Sequence, residues 1–402
     1  MTTDWKRKKT PPRRADVLAM QQAMVTWLSR QQVRDRQSPH CGCIYFPGED
    51  RYCNRDTGCA AGVFLRQYRQ TGVRSWLRQA EAARAYVWRA QEPDGGFPEM
   101  RGQAKSDGGS TVNTAIIADN LIAAFELGLP YGAADLDALA RMAEFELTLE
   151  WKRGAFYHDT NHLTTARDAA GKVLWGKNGS HLDCQNTTAL AAMMLLRIAG
   201  FLEAAGRPPP PAWRRAAQRA VRHLLAGQDS NGHWPYFVKE KSFDVGHHSM
   251  CTFCLAKAAA DRTFRADPAV RRALTRAALW TVRDGLLQTK RGTKINWGIS
   301  HSACVYFTAE YFLTAAPLAR VAALDKRHGP LFRREAIELL RYVRTDLWDN
   351  AAWKTEGPFR LNEGYVVAGY AWFGQSMGWS LYQLDDLIER MGWWEGATSC
   401  RP

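Results

Sequence analysis

The sequence predicts an all-α ring of six helical hairpins, and three observations carry the prediction. Amphipathic helical stretches recur six times along the 402 residues. Each leads through a polar, glycine-containing loop into a second helical stretch that is apolar almost all round. Almost nothing in between alternates with the period of two that marks a sustained strand. A helix that is apolar on every side must be covered on every side. The uncharged member of each pair is therefore expected inside, and the charged, one-faced member outside. Six such pairs, each burying one helix at the centre, close as an (α/α)6 toroid.

Taken in order, the first outer helix is expected over residues 15–32, followed by the loop "GCIYFPGEDRYCNRD" and the inner stretch "TGCAAGVFLRQY". The second pair is 75–91, with apolar residues at three- and four-residue steps, and then "STVNTAIIADNLIAAFELG". The third runs from 134–151 to "CQNTTALAAMMLLRIAGFL", and the fourth from 212–228 to "HHSMCTFCLAKAAA". The fifth runs from 267–287 to "SACVYFTAEYFLTAA", and the sixth from 333–348 to "YVVAGYAWFGQSMGWSLYQL". A seventh hairpin stays open, because residues 316–326 have the composition of an extra helix. The prolines at 208–211 break one junction between hairpins. Two outer helices end in related turns, "QEPDGGFP" at 91–98 and "QDSNGHWPYF" at 228–237. A glutamine, an acidic or amide turn, a glycine and an aromatic are expected to close the outer helix and pack under the next hairpin.

Composition bounds the rest. Hydrophobic residues make up 46%, enough for a large core. No apolar run is read as reaching the roughly 20 residues that span a bilayer. Net charge is +14, of which +9 lies on the body after the basic tail "MTTDWKRKKTPPRR". The expected layout is a disordered tail over 1–14, one catalytic toroid over 15–392 and a short tail over 393–402. A basic body suits an acidic partner such as an acidic polysaccharide. No nucleic-acid motif and no membrane segment accompanies the charge. The nine cysteines and the absence of an export signal point to reduced thiols and a cytoplasmic protein, with other export routes left open. Cys41, Cys43, Cys53 and Cys59 could hold a structural zinc but lack the regular spacing of such a site, which leaves zinc there an open alternative, and Cys251 and Cys254 read as small core hydrophobes. No metal or other cofactor is expected.

The topology places all outer-to-inner loops, and the starts of all inner helices, at one end of the ring. Helix N-termini there point positive dipole ends into a pocket. The residues expected to converge are Asn54, Arg55, Asp56, Ser110, Thr111, Asn113, His181, Asp183, Gln185, Asn186, His247, His248, His301, Tyr306, Glu363 and Tyr365. The preceding loops add Tyr157, His158, His162, Trp234, Tyr236, Glu240, Lys294, Asn296 and Trp297. Ser110, Asp56 and Asp183 have the composition of plain N-caps. Histidines at three inner-helix starts are expected to be neutral and able to take a proton, because a helix N-terminus disfavours imidazolium.

The hairpin pattern resembles the toroid families: terpene and prenyl-transferase toroids, glycoside hydrolases and, above all, uronate-specific polysaccharide lyases. The glutamine–glycine–aromatic turn is similar to the repeat turn of the first group. Resemblance to the lyases implies β-elimination on a uronate polymer such as glucuronan or alginate. That reaction needs a base for the C5 proton, a neutralised carboxylate and a proton for the leaving oxygen. By residue type it implies Tyr306 or His301 as base or acid and His247 or His248 as partner. Asn186 and Asn113 would meet the carboxylate, with Glu240 as a bridge. Trp234 and Trp297 would stack on sugar rings, while Asn113, Tyr157, His158, His181, Tyr236, Lys294, Asn296 and Tyr365 would bind the chain. One departure is that such lyases are usually exported. A glycoside hydrolase, of uronyl-hydrolase type, is the alternative, with Asp56, Asp107, Asp183, Glu240 and Glu363 as candidate acids. A terpene cyclase would have to use Asp385–Asp386, which reads instead as a solvated helix end. A non-catalytic binder of acidic polysaccharide would keep the charge and the tryptophans without any His–Tyr pair.

Overall fold

The computed structural model describes residues 12–46, 51–101, 104–151, 154–158, 184–236, 244–296, 309–347 and 377–394. Twelve α-helices fall within them. The outer set is α1 (Arg14–Arg30), α3 (Arg74–Ala90), α5 (Ala133–Thr148), α7 (Pro211–Gly227), α9 (Pro268–Trp280) and α11 (Gly329–Tyr342). The inner set is α2 (Asn54–Thr71), α4 (Thr111–Glu126), α6 (Gln185–Ala204), α8 (Val245–Ala258), α10 (Ala309–Leu324) and α12 (Met377–Arg390). Inner helices touch in the order α2, α4, α6, α8, α10, α12 and back to α2, so the ring closes with six. Residues 316–324 are the second half of α10, which continues through Pro317; the stretch read as a possible seventh hairpin therefore belongs to the fifth. Arg14, assigned by composition to the tail, starts α1, and its Nε donates to the Trp393 carbonyl at 2.6 Å where the two chain ends meet.

The fifth and sixth outer helices end earlier than their hydrophobic pattern suggests. Each passes into a π-turn, Thr281–Gly285 and Val343–Leu347. Three short antiparallel ribbons interrupt the loops: β1 (Ile44–Phe46) with β2 (Arg51–Cys53), β3 (Pro98–Arg101) with β4 (Ala104–Gly109), and β5 (Leu286–Thr289) with β6 (Gly292–Ile295). One helix, Gln185–Ala204, is long and apolar enough to cross a membrane, contrary to the reading of the sequence; 78% of its most apolar window is buried in the ring. As an inner helix it is wrapped by protein on all sides, which accounts for its composition.

The glutamine–glycine turn is a joint between neighbouring hairpins. Gln91 Nε2 donates to the carbonyls of Gly95 and of Ala138 on the next outer helix, both at 3.0 Å. Gln228 does the same with Gly232 and Ala273 at 2.9 Å. Gln32 repeats it with Gly42 and Gln79, at 3.1 and 2.9 Å. The glycine has positive φ in each copy and lies hard against the next outer helix. A Cβ on Gly95 would stand 2.2 Å from the Arg141 carbonyl oxygen, and one on Gly232 would stand 2.4 Å from that of Arg276. Both the backbone conformation and the close approach require glycine. Gly95→Ala is expected to cost about 3 kcal/mol or more, read as a drop in the denaturant midpoint; an unchanged midpoint would mean that the joint carries no stability.

After each turn the chain is tied to the inner helix that it is about to enter. The amide of Ile44 donates to Thr57 Oγ1, that of Phe97 to Thr114 Oγ1 and that of Phe156 to Thr188 Oγ1, at 2.9, 3.1 and 3.2 Å. In the fourth repeat Trp234 donates to His248 Nδ1 at 3.1 Å. These four residues therefore occupy equivalent positions one turn into α2, α4, α6 and α8, and they set the register for the site.

Away from the loop end, charges close the interior of the ring. Asp119 on α4 accepts from Arg197 Nε on α6 at 3.1 Å, from Tyr382 Oη on α12 at 2.8 Å and from Lys257 on α8. Lys257 also bonds Tyr382, and Arg320 on α10 donates to Asp386 Oδ2 on α12 at 2.8 Å. Asp385 Oδ1 accepts from Gln21 on α1 at 2.8 Å. Asp385 and Asp386 are thus buried and paired, not a solvated helix end. Burial pushes the Asp385 carboxyl up to about 7, against the opposing charge of Arg66.

Candidate active site

The residue before the tie position is Asp56 on α2, Asn113 on α4, Thr187 on α6 and His247 on α8. Asp56 is spent on ring closure: its Oδ1 accepts the Gly378 amide at 2.6 Å and its Oδ2 the Cys53 thiol at 3.0 Å. Asn113 Nδ2 donates to the Pro98 carbonyl at 3.1 Å. His247 alone among these keeps a reactive side chain partly open, with 18% of it exposed. Asp244 caps α8 by accepting the His247 amide at 2.8 Å. The His247 Nδ1 also lies 3.0 Å from Asp244 Oδ1, but off the hydrogen-bonding direction. One face of the imidazole stacks on Tyr236, with ring centres 3.8 Å apart.

On the neighbouring α10, Glu310 reaches the start of α8 at Gly246. Its carboxyl occupies the space of the side chain that Gly246 lacks; a Cβ there would stand 2.7–2.8 Å from its carbon and both oxygens. Only 9% of Glu310 is exposed, and its Oε2 is buried without a partner among the described residues. Burial, with the Asp244 charge adding to it, holds this carboxyl well above the ordinary carboxylate range. On α6, Asn186 Nδ2 lies 3.6 Å from Met250 Sδ of α8, and its Oδ1 is buried without a partner among the described residues.

Several expected site residues stand elsewhere. His248 is fully buried; its Nδ1 accepts from Trp234, and its Nε2 lies 3.2 Å from both the Ala277 carbonyl and Thr281 Oγ1. It fills the place of a threonine in the other repeats and does not reach the pocket as a proton carrier. Burial depresses its basicity strongly, and the neighbouring His233 adds to this. Trp234 is also fully buried and donates its indole N–H to the Leu224 carbonyl at 2.8 Å, so it cannot stack on a sugar. Asn296 is tied to the π-turn through the carbonyls of Asp284 and Gly285. Lys294 lies half-buried on β6. Tyr157 and His158 are half-buried, and their carbonyls accept from the Thr111 hydroxyl and amide at 2.8 and 2.9 Å. Ser110 is the N-cap it resembles, while Asp56 is not. Asp107 lies on β4, and its side chain is outside the described residues. His162, His181, Asp183, Glu240, Trp297, His301, Tyr306, Glu363 and Tyr365 are also outside them.

Cys43, Cys53 and Cys59 are buried, and no group of three or more His, Cys, Asp or Glu side chains among the described residues is arranged to hold a metal ion.

The start of α4 rests on a second buried acid. Thr111 Oγ1 donates to Glu146 Oε1 on α5 at 3.1 Å, and Glu146 Oε2 has no partner among the described residues. Burial pushes Glu146 up to about 8 from an ordinary 4.5, against the Thr111 hydrogen bond. The unfolded chain releases this proton near pH 4.5 and the folded chain near 8. Between those values the folded state holds more protons, so stability falls as pH rises. Glu146→Gln is expected to flatten that slope and to be the more stable form at pH 8 by about 2 kcal/mol or more, since each tenfold change in ionisation is worth about 1.4 kcal/mol. Parallel denaturant curves at pH 5 and pH 8 check it; equal slopes in both proteins would refute it.

No protein-family model and no curated protein sequence matches the chain. Solved structures do. A crystal structure of D-mannose isomerase superposes with a TM-score of 0.65 at 11% identity, covering 95% of this chain and all of that one. Cellobiose 2-epimerase from Bacillus thermoamylovorans B4167 gives 0.67 at 13%, covering 94% and 100%. An unsaturated glucuronyl hydrolase specific for heparin gives 0.62 at 11%, covering 94% and 98%. The chain has the α/α toroid fold of these carbohydrate-active enzymes. At such identities the likeness carries the architecture and leaves the chemistry to the residues.

Proposed function

We propose that this protein is a carbohydrate-active enzyme that moves a proton on a sugar carbon next to a carbonyl or carboxylate group, with His247 as the base. The observation that carries the reading is His247 itself. It is the partly open imidazole at an inner-helix start, steadied by Tyr236 and flanked by Asp244. An imidazole changes its charge near neutrality and suits both directions of proton transfer. The fold likeness to a sugar isomerase and a sugar 2-epimerase supports this reading. Isomerising or 2-epimerising a reducing sugar alters a C–H bond beside a carbonyl. β-Elimination of a uronate polymer begins with the same kind of step, and the +9 body would draw such a polyanion to the ring. His301 and Tyr306 keep their proposed acid–base roles in that form of the reaction.

Hydrolysis is the second reading, and one observation favours it. Glu310, a carboxyl held well above the ordinary range, feels the negative charge of Asp244, and glycosidases divide acid and base work between two carboxyl groups in this way. A single incubation in deuterated water separates the readings. The panel is D-mannose, cellobiose, glucuronan, alginate, hyaluronan, heparin-like chains and pectate. Deuterium on sugar carbon supports isomerisation or epimerisation, and new ultraviolet absorbance supports elimination. New reducing ends without either would replace the proposal with hydrolysis, and silence in all three assays would refute it for this panel.

A further inference from the structure

We propose that Glu310 is a second catalytic residue of this site, its carboxyl O–H meeting the substrate oxygen on which negative charge develops as His247 takes the proton. The inference rests on the proton-transfer reading of His247 and adds a group that is not among the residues singled out by sequence.

Two independent features of the fold support the assignment. The first is the cradle. Gly246 lies in α8 without positive φ, so its backbone does not require glycine. Its missing side chain is what admits the Glu310 carboxyl between two inner helices, beside the residue that precedes His247. The second is the orphan oxygen. Oε2 is buried without a partner among the described residues, in a protein whose other inner-helix charges, Asp119, Arg197, Lys257, Arg320 and Asp386, are paired. An unpaired buried acid is costly to keep unless something else uses it. Asp244 is the negative group that acts on it, and it favours the protonated form.

The electron and proton balance is closed. His247 takes the proton from the C–H bond, and that electron pair becomes the new C=C bond. The carbonyl π pair moves to its oxygen, which accepts the hydrogen bond from Glu310 and, in isomerisation or 2-epimerisation, finally the proton. In those reactions His247 then returns a proton to carbon, and Glu310 recovers one from the enol O–H whose oxygen becomes the carbonyl. In β-elimination the enolate re-forms the carboxylate as the new C=C expels the leaving oxygen, which takes the proton from His247, and Glu310 keeps its own. A donor placed at a developing oxyanion is commonly worth 10²–10³ in rate.

Four variants and three measurements test this. Glu310→Leu removes a buried unpaired acid at similar volume, so its thermal midpoint should match or exceed that of the wild type. Its kcat for deuterium exchange into cellobiose or D-mannose, or for absorbance gain on glucuronan, should fall by about 10²–10³ with KM little changed. Glu310→Gln keeps an N–H donor and should fall less, by about tenfold. Gly246→Ala should fold normally, because only the flexible end of Glu310 must move, yet lose activity through that displacement. Infrared difference spectra at pH 7 need no substrate: the wild type should show a protonated-carboxyl band that is absent in Glu310→Gln and shifted in Gly246→Ala. Wild-type kcat in Glu310→Leu, or no such band, overturns the proposal. If His247→Gln is also fully active, the reading of the site has failed; if only the Glu310 variants are active, this inference alone has failed.

Discussion

Lys257→Met is expected to lower the unfolding free energy by about 3–5 kcal/mol, the cost of leaving a buried charge without its partner. Asp119 is 1% exposed and lies between helices from three different hairpins. Burial works to raise its carboxyl, but Lys257 and Arg197 outweigh burial and hold it below the ordinary range. Burial in turn pulls Lys257 down to about 8, so both groups are charged at neutral pH. Without Lys257, Asp119 would depend on Tyr382 and on Arg197, which Glu126 already holds through two bonds of 2.9 and 2.7 Å. The double variant Lys257→Met/Asp119→Leu removes both charges and should recover most of the loss, because an apolar pair of similar volume often does as well as a buried ion pair. Denaturant midpoints of the two singles and the double decide it. A wild-type midpoint in Lys257→Met would show that the network holds nothing together.

This network marks where the sequence stops being legible. The alternation of charged outer and uncharged inner helices is a local signal, and it suffices for a six-membered ring. The glutamine–glycine turns are local too, and they lie where the hairpins join. A lone Asp119 in "IIADNLIAAFE" and a lone Lys257 in "FCLAKAAA" carry no sign that they meet across 138 positions. The paired histidines fail for a different reason. Consecutive helical residues point about 100° apart, so His247 and His248 cannot share a face, and spacing does not say which one sees the bore. The repeat register does: the position that holds Thr57, Thr114 and Thr188 points to the wall. Trp234 was ambiguous in the same way, since a residue after the turn glycine packs inward in every described copy. Glu310 was invisible because its meaning lies in a glycine 64 positions earlier.

His247→Gln is expected to lower kcat by about 10²–10⁴, the usual worth of a positioned general acid or base, while leaving the fold intact. The side chain is partly open and its Nδ1 has no hydrogen-bond partner among the described residues, so little stability rides on it. Its main contact is the face of Tyr236, which glutamine can still cover in part. The wall position beside it predicts the opposite pattern. His248→Gln breaks a fully buried link between the turn at Trp234, α8 and the end of α9, so it should cost stability, about 1–3 kcal/mol, with kcat falling only as far as folding does. Threonine at 248 is the informative replacement, because three other repeats already use it for the same bond. Measuring kcat and the thermal midpoint for His247→Gln, His248→Gln and His248→Thr therefore separates proton transfer from wall building. If His247→Gln turns over at the wild-type rate while a His248 variant is folded but inactive, the assignment of the two histidines is reversed and the base has to be sought on the wall side.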